Sequence, residues 1–142
     1  EEEYRTLEKD QLNTFFLEMI RSGIKKCQEQ HRVPANDLLE RLEEFRAGGF
    51  SNRWTFKTIT LKELGVKCAL ECNLTVDAFH LNLVLYREGV GLLSREILMT
   101  EPDEIVFAPQ FKELRLDGDS LVVLDKFGDV TYTERLATLD LL

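Results

Sequence analysis

The residue types in this 142-residue chain that can do chemistry are two histidines, three cysteines and a cluster of C-terminal carboxylates. Zinc is bound by Cys and His side chains brought together in short-loop pairs. His31 and His80 stand apart, and Cys27, Cys68 and Cys72 are spread along a helix and a strand, so no metal is expected. Asp117, Asp119 and Asp125 have charge enough to attract calcium. They lack the roughly twelve-residue spacing of an EF-hand and its closing acidic residue, and Asp117-Gly118-Asp119 reads as a turn. Gly89-Val90-Gly91 follows a strand, as the first half of a dinucleotide-binding loop does. Ser94 stands in the place of the third glycine, no parallel βαβ unit surrounds it, and a hairpin turn with no cofactor is expected. Neither a phosphate-binding P-loop nor a nucleophile elbow occurs.

What remains is a polar group around His80. Pairing the strands on either side of Thr75-Val76-Asp77-Ala78 sets His80 opposite Asn73, with Glu71 and Asn82 one pair further on. An imidazole oriented by a carboxylate and amides has the form of a general base. Exposed sheet faces carry such polar pairs as a matter of course, so this face is expected to meet water or a partner, and the catalytic and metal assignments are left empty.

The element that must position this group runs from Val66 to Arg87. Both arms alternate apolar and polar residues, and one register pairs Leu74 with Phe79, Cys72 with Leu81, Leu70 with Leu83 and Cys68 with Leu85. One face is then wholly apolar. The other carries Lys67, Ala69, Glu71, Asn73, His80, Asn82, Val84 and Tyr86, the pattern of an antiparallel sheet with one side on a core. Along one strand Cys68 and Cys72 are about 13 Å apart, beyond disulfide reach. Free thiols favour a reducing compartment, cytoplasm or nucleus, and leave the Asn73-Leu74-Thr75 glycosylation sequon unused.

N-terminal to the hairpin, Leu12, Phe15, Phe16, Met19, Ile20, Gly23, Ile24 and Cys27 recur at three and four residues, predicting a long amphipathic helix over 7–30. Its stripe is expected to dock on the apolar face of the sheet. Pro34 opens a second helix lined by Leu38, Leu42 and Phe45, and Gly48-Gly49 stops it. From residue 50 the helical period gives way to strands. Trp54, Phe56, Ile59 and Leu61 form a strand whose phase slips near Lys57 and Thr58, predicting a bulge. Residues 92–99 read as strand and Ile105-Val106-Phe107 as extended. Leu114–Leu116 and Leu121–Leu124 flank Asp117-Gly118-Asp119-Ser120 as a hairpin, and Leu121-Val122-Val123-Leu124, apolar on both faces, is expected to be an inner strand. From Glu134, the spacing of Leu136, Leu139 and Leu142 predicts a short closing helix. The fold expected is α+β: two N-terminal helices on a curved antiparallel sheet of five to seven strands. It is read as one domain, 1–142, with a helical part over 1–49 and a mainly sheet part over 50–142.

Composition narrows the partners. The formal charge is −8, with 10 acidic against 4 basic side chains in residues 101–142. That balance argues against nucleic acid, and no apolar run is long enough to span a membrane. The first residue is not Met, and the chain is expected to be a fragment of a longer, intracellular protein. With no catalytic constellation in view, the leading expectation is a non-enzymatic protein-interaction or assembly domain. Its candidate surface comprises Trp54, Phe56, Glu71, Asn73, His80, Asn82, Val84 and Tyr86, and it self-associates as a homodimer through a sheet face or edge or meets a partner with a basic patch. A second reading is a cone or half-barrel enclosing a small ligand among Phe79, Leu81, Leu83, Phe16 and Ile20. Its element order resembles the nuclear-transport-factor-2-like and cystatin-like layouts, and the likeness implies only that shape. A third is an acidic chaperone or inhibitor of a basic client, whose affinity would fall with salt.

Overall fold

A computed structural model describes residues 9–139 of the chain, with side chains over 11–137. The chain divides into two compact units, Glu1–Ser51 and Asn52–Leu142. The first contains α1 (Lys9–Gln30) and α2 (Ala35–Ala47). Among its described residues Leu17 and Ala35 are the buried apolar ones, and Arg21 on α1 forms an ion pair with Glu43 on α2. Past α2 the Gly48 N–H reaches the Glu44 carbonyl at 2.9 Å, and Gly49 takes a φ of +68°, so the expected glycine stop is found. Phe16, Met19 and Ile20 of the predicted stripe are exposed.

The second unit opens with a meander of β1 (Asn52–Leu61), β2 (Val66–Leu74), β3 (Phe79–Arg87) and β4 (Val90–Thr100), paired in that order. The β2–β3 register is the predicted one, with Leu74 opposite Phe79, Cys72 opposite Leu81, Leu70 opposite Leu83 and Cys68 opposite Leu85. Its turn is held by Thr75, whose hydroxyl accepts from the Asp77 and Ala78 N–H groups while donating to the Ala78 carbonyl at 3.0 Å. Residues 92–99 continue as strand, as expected. The β3–β4 turn places Glu88 at φ +52° and Gly89 at φ +83°, a mirror-image turn that matches strand twist.

A second sheet follows, of β5 (Glu113–Asp117), β6 (Ser120–Leu124) and β7 (Val130–Arg135), with β6 in the middle. Leu121 through Leu124 are all buried, as their two-sided apolarity predicts. The α+β class therefore holds, with seven strands among the described residues shared between two antiparallel sheets.

The two sheets of this unit share one core. Cys68, Leu70, Cys72, Phe79, Leu81, Leu83 and Leu85 from the first meet Leu114, Leu121 and Val123 from the second, together with Leu136 just past β7. Sequence reading seats the helix stripe on the hairpin's apolar face, whereas the structure fills that face from the same unit. Phe107 and Phe111 complete the filling: the Phe79 ring stacks on Phe107 at 3.9 Å between centroids and on Phe111 at 5.5 Å. Phe107 belongs to α3 (Glu104–Phe107), a single turn where extended backbone was expected. The cause is local. Asp103 follows Pro102 and caps the turn, its carboxylate accepting from the Ile105 N–H at 2.9 Å, and Pro109 then starts a 3-10 turn over Ala108–Gln110. Strand β7 runs to Arg135, and the short closing helix expected from Glu134 is found as a 3-10 helix over Leu136–Leu139. Leu142 lies outside the described residues.

One edge of this two-sheet stack is clamped by charge. Glu134 on β7 is 4% exposed, and its Oε2 accepts from Arg95 Nη1 of β4 at 2.7 Å and from the Tyr132 hydroxyl at 2.5 Å. A buried carboxylate is tolerated because both donors face it. At the other edge β1 approaches β5, with the Phe56 ring edge-on to Phe111 at 5.0 Å.

Candidate functional site

Successive side chains of a strand point to opposite faces, so the register sorts the candidate residues without ambiguity. On the face of the four-stranded sheet turned away from the core, four ranks cross the strands. Arg53, Asn73, His80 and Met99 form the first, and Thr55, Glu71, Asn82 and Glu96 the second. Thr58, Ala69, Val84 and Ser94 form the third, and Thr60, Lys67, Tyr86 and Gly91 the fourth. Six of the predicted surface residues, Glu71, Asn73, His80, Asn82, Val84 and Tyr86, are thus brought together.

Trp54 and Phe56 are not. Trp54 pairs with Cys72, placing it on the core side with its ring 6.1 Å from Phe79, and Phe56 packs on Phe111. The slip in β1 lies between Thr55 and Lys57, one residue earlier than the sequence phase suggests. A bulge inserts one extra residue, so moving it reverses the face assigned to its neighbours. Both rings remain partly exposed at the sheet edge.

Within the ranks, most of the groups that could do chemistry are already paired. The Tyr86 hydroxyl donates to Glu71 Oε1 at 2.6 Å, and this bond to a carboxylate pushes the phenol's pKa up. His80 Nδ1 lies 2.7 Å from Glu96 Oε2, a diagonal contact across β3 and β4, and Arg53 Nε donates to Asn73 Oδ1 at 3.3 Å. Asn82 stands between these pairs and makes no side-chain hydrogen bond among the described residues. It borders a hollow of about 400 Å3 lined also by Arg53, Thr55, Glu71, Asn73 and Ser94. A further hollow lies among Glu71, Val84, Tyr86 and Ser94.

No family model matches this chain, and no curated protein and no solved structure matches it either. The residues themselves therefore carry the functional argument.

A nucleophile would need an activated thiol or hydroxyl near a base. Cys68 and Cys72 instead point into the core, where burial pushes their thiols up to about 11 and about 12. Among the described residues no group of three or more His, Cys, Asp or Glu side chains could hold a metal ion, and no helix is long and apolar enough to cross a membrane. The cavity expected among Phe79, Leu81 and Leu83 is occupied by protein, since all three are at most 1% exposed and Phe107 stacks on Phe79.

Sequence reading missed a second concave feature. A hollow of about 680 Å3 is lined by Ile59, Leu61 and Leu64 on one side and Leu114, Leu116 and Leu136 on the other. The signal for it was faint: Leu64 sits in the turn Lys62-Glu63-Leu64-Gly65, and Leu116 sits one residue before Asp117-Gly118, where polar residues would suffice.

Proposed function

We propose that this chain is a non-enzymatic protein-interaction domain whose outer sheet face, centred on Asn82, meets the surface of a protein partner. One observation carries the reading. The Glu71–Tyr86 and His80–Glu96 contacts tie four side chains together within the face, leaving an open, four-strand array of donors and acceptors with one uncommitted amide in the middle. Such an array can recognise a polar protein surface, in which about one hydrogen bond forms per 100–200 Å2. Val84 and Ala69, both buried, give this face an apolar floor between the polar ranks.

The sign of charge on the face refines the partner. Arg53 and Lys67 stand among Glu71 and Glu96, so complementarity is local and affinity should depend weakly on salt. An acidic chaperone acting on a basic client would instead lose affinity steeply as salt rises. A photo-crosslinking amino acid placed at position 82 in cells tests the proposal. One discrete protein adduct, absent when the same group is placed at exposed Phe127, is expected. A protein that sediments strictly as a monomer and gives no adduct from position 82 refutes it.

A small-ligand reading draws on a different observation, the His80–Glu96 contact in the same face as the hollow that Asn82 borders. A polar metabolite held there would raise the melting temperature of the wild type and leave that of an Asn82→Leu variant unmoved. Absence of any such stabilisation across a set of polar metabolites excludes it.

A further inference from the structure

The hollow between β1 and β5 has features that suit one kind of occupant. Both strands are edges: β1 pairs only with β2 and β5 only with β6 among the described residues. In an antiparallel edge strand, alternate N–H and C=O groups point away from the neighbour and remain available to another strand. Here those edges border an apolar lining made by Ile59, Leu61, Leu64, Leu114, Leu116 and Leu136. Leu116 is 46% exposed although its neighbour in the lining, Leu114, is buried. The opposite edge of the stack is closed by the Arg95–Glu134 pair, and no ion pair bridges β1 and β5 among the described residues. Lys62, Glu63, Arg115 and Asp119 border the lining with both signs of charge.

We infer that this groove takes an extended polypeptide strand from a partner protein, added to the β1 or β5 edge with its alternate apolar side chains on the leucines. The inference rests on the reading of the chain as an interaction domain and names a second contact for it. A strand is favoured over a helix because its main chain supplies the groups that the free edges lack, whereas a helix has already spent its own. The stretches Ile59–Leu61 and Leu114–Leu116 would each accommodate about three residues, or roughly 10 Å of extended chain.

The test is a titration of the isotopically labelled full chain with seven-residue peptides alternating Val or Leu with Thr, Lys or Glu. Amide shifts in β1 and β5 are expected from at least one sequence, with a dissociation constant below 1 mM as a minimum. N-methylating alternate residues of that peptide should weaken binding about tenfold in one register and under threefold in the other, because only every second N–H faces the edge. Leu116→Asp should abolish binding with the circular dichroism spectrum retained, and Phe127→Asp should leave it unchanged. No binding by any peptide, equal effects of the two methylation registers, or shifts confined to other strands overturns the inference. Crosslinking from position 82 together with an inert groove would remove the strand site alone and leave the interaction reading standing.

Discussion

Replacing Phe107 by Ala should be the most damaging single truncation in the short segment that joins the two sheets. The ring is 6% exposed and lies parallel to that of Phe79, with 3.9 Å between centroids and 5° between planes. Removing a buried phenylalanine side chain costs about 3–5 kcal/mol through lost transfer energy and the cavity left behind. Stacking contributes roughly 0.5–1.5 kcal/mol of that beyond area alone. The backbone should not object, because alanine is the best helix former and Phe107 ends a helical turn. For a unit the size of 52–142, a loss of 3 kcal/mol corresponds to a melting temperature lower by roughly 12–24 °C. Urea unfolding followed by circular dichroism gives the free energy directly, and an unchanged m-value would show that the same surface is exposed on unfolding. Ile105→Ala is the internal control. It lies on the same turn at 85% exposure and should shift stability by less than about 0.5 kcal/mol. If Phe107→Ala costs under 1 kcal/mol, or no more than Ile105→Ala, then something other than the Phe79–Phe107–Phe111 stack covers the apolar face of the β2–β3 hairpin.

Other outcomes follow from single sites. Cys68 and Cys72 have folded-state pKa values raised from 9.0 to about 11 and about 12 by burial, so the folded state holds protons that the unfolded chain releases. Their contribution to stability is complete below pH 9 and is lost as pH rises through 11 and 12, at about 1.4 kcal/mol per pH unit for each thiol. Denaturation at stepped alkaline pH should show that slope, and a Cys68→Ala/Cys72→Ala chain should show a shallower one. At pH 8 a thiol reagent should label exposed Cys27 alone in the native protein and all three cysteines in urea. Glu88→Gly should stabilise the β3–β4 turn by about 0.5–1 kcal/mol, measured by thermal melting, because Glu88 is held at φ +52° where a side chain is strained. Thr75→Val should cost about 1 kcal/mol by urea titration, since it removes the hydroxyl that holds three backbone groups of the β2–β3 turn.

The parts of the fold that were legible in the sequence are those set by local alternation. Four cross-strand pairs of the β2–β3 hairpin follow from where two period-two patterns meet, since a slip of one residue would turn Leu70 and Leu83 into water. Burial of Leu121 to Leu124 follows from apolarity on both sides. What stayed hidden depended on contacts distant in sequence. Nothing local in Leu114 or Val123 says that a second sheet will lie on Leu83, so the amphipathic α1 stripe was the natural candidate for that place. Ile105-Val106-Phe107 is a run of strand formers and predicts extended backbone, and the Asp103 cap outweighs that propensity. The candidate site divided in the same way. Its six residues on β2 and β3 were placed by the hairpin register alone, while Trp54 and Phe56 depended on a bulge position that one residue of error inverts.

The proposal that the outer sheet face binds a protein is tested most directly by nuclear magnetic resonance of the labelled chain mixed with the partner captured from position 82. Asn73 and Asn82 side-chain amides and Val84 methyl groups report on that face and on nothing in the core. Saturable shifts of these resonances are predicted, and an Asn82→Arg variant should weaken the same complex at least tenfold. Unmoved Asn73, Asn82 and Val84 signals in a fully formed complex would contradict the account.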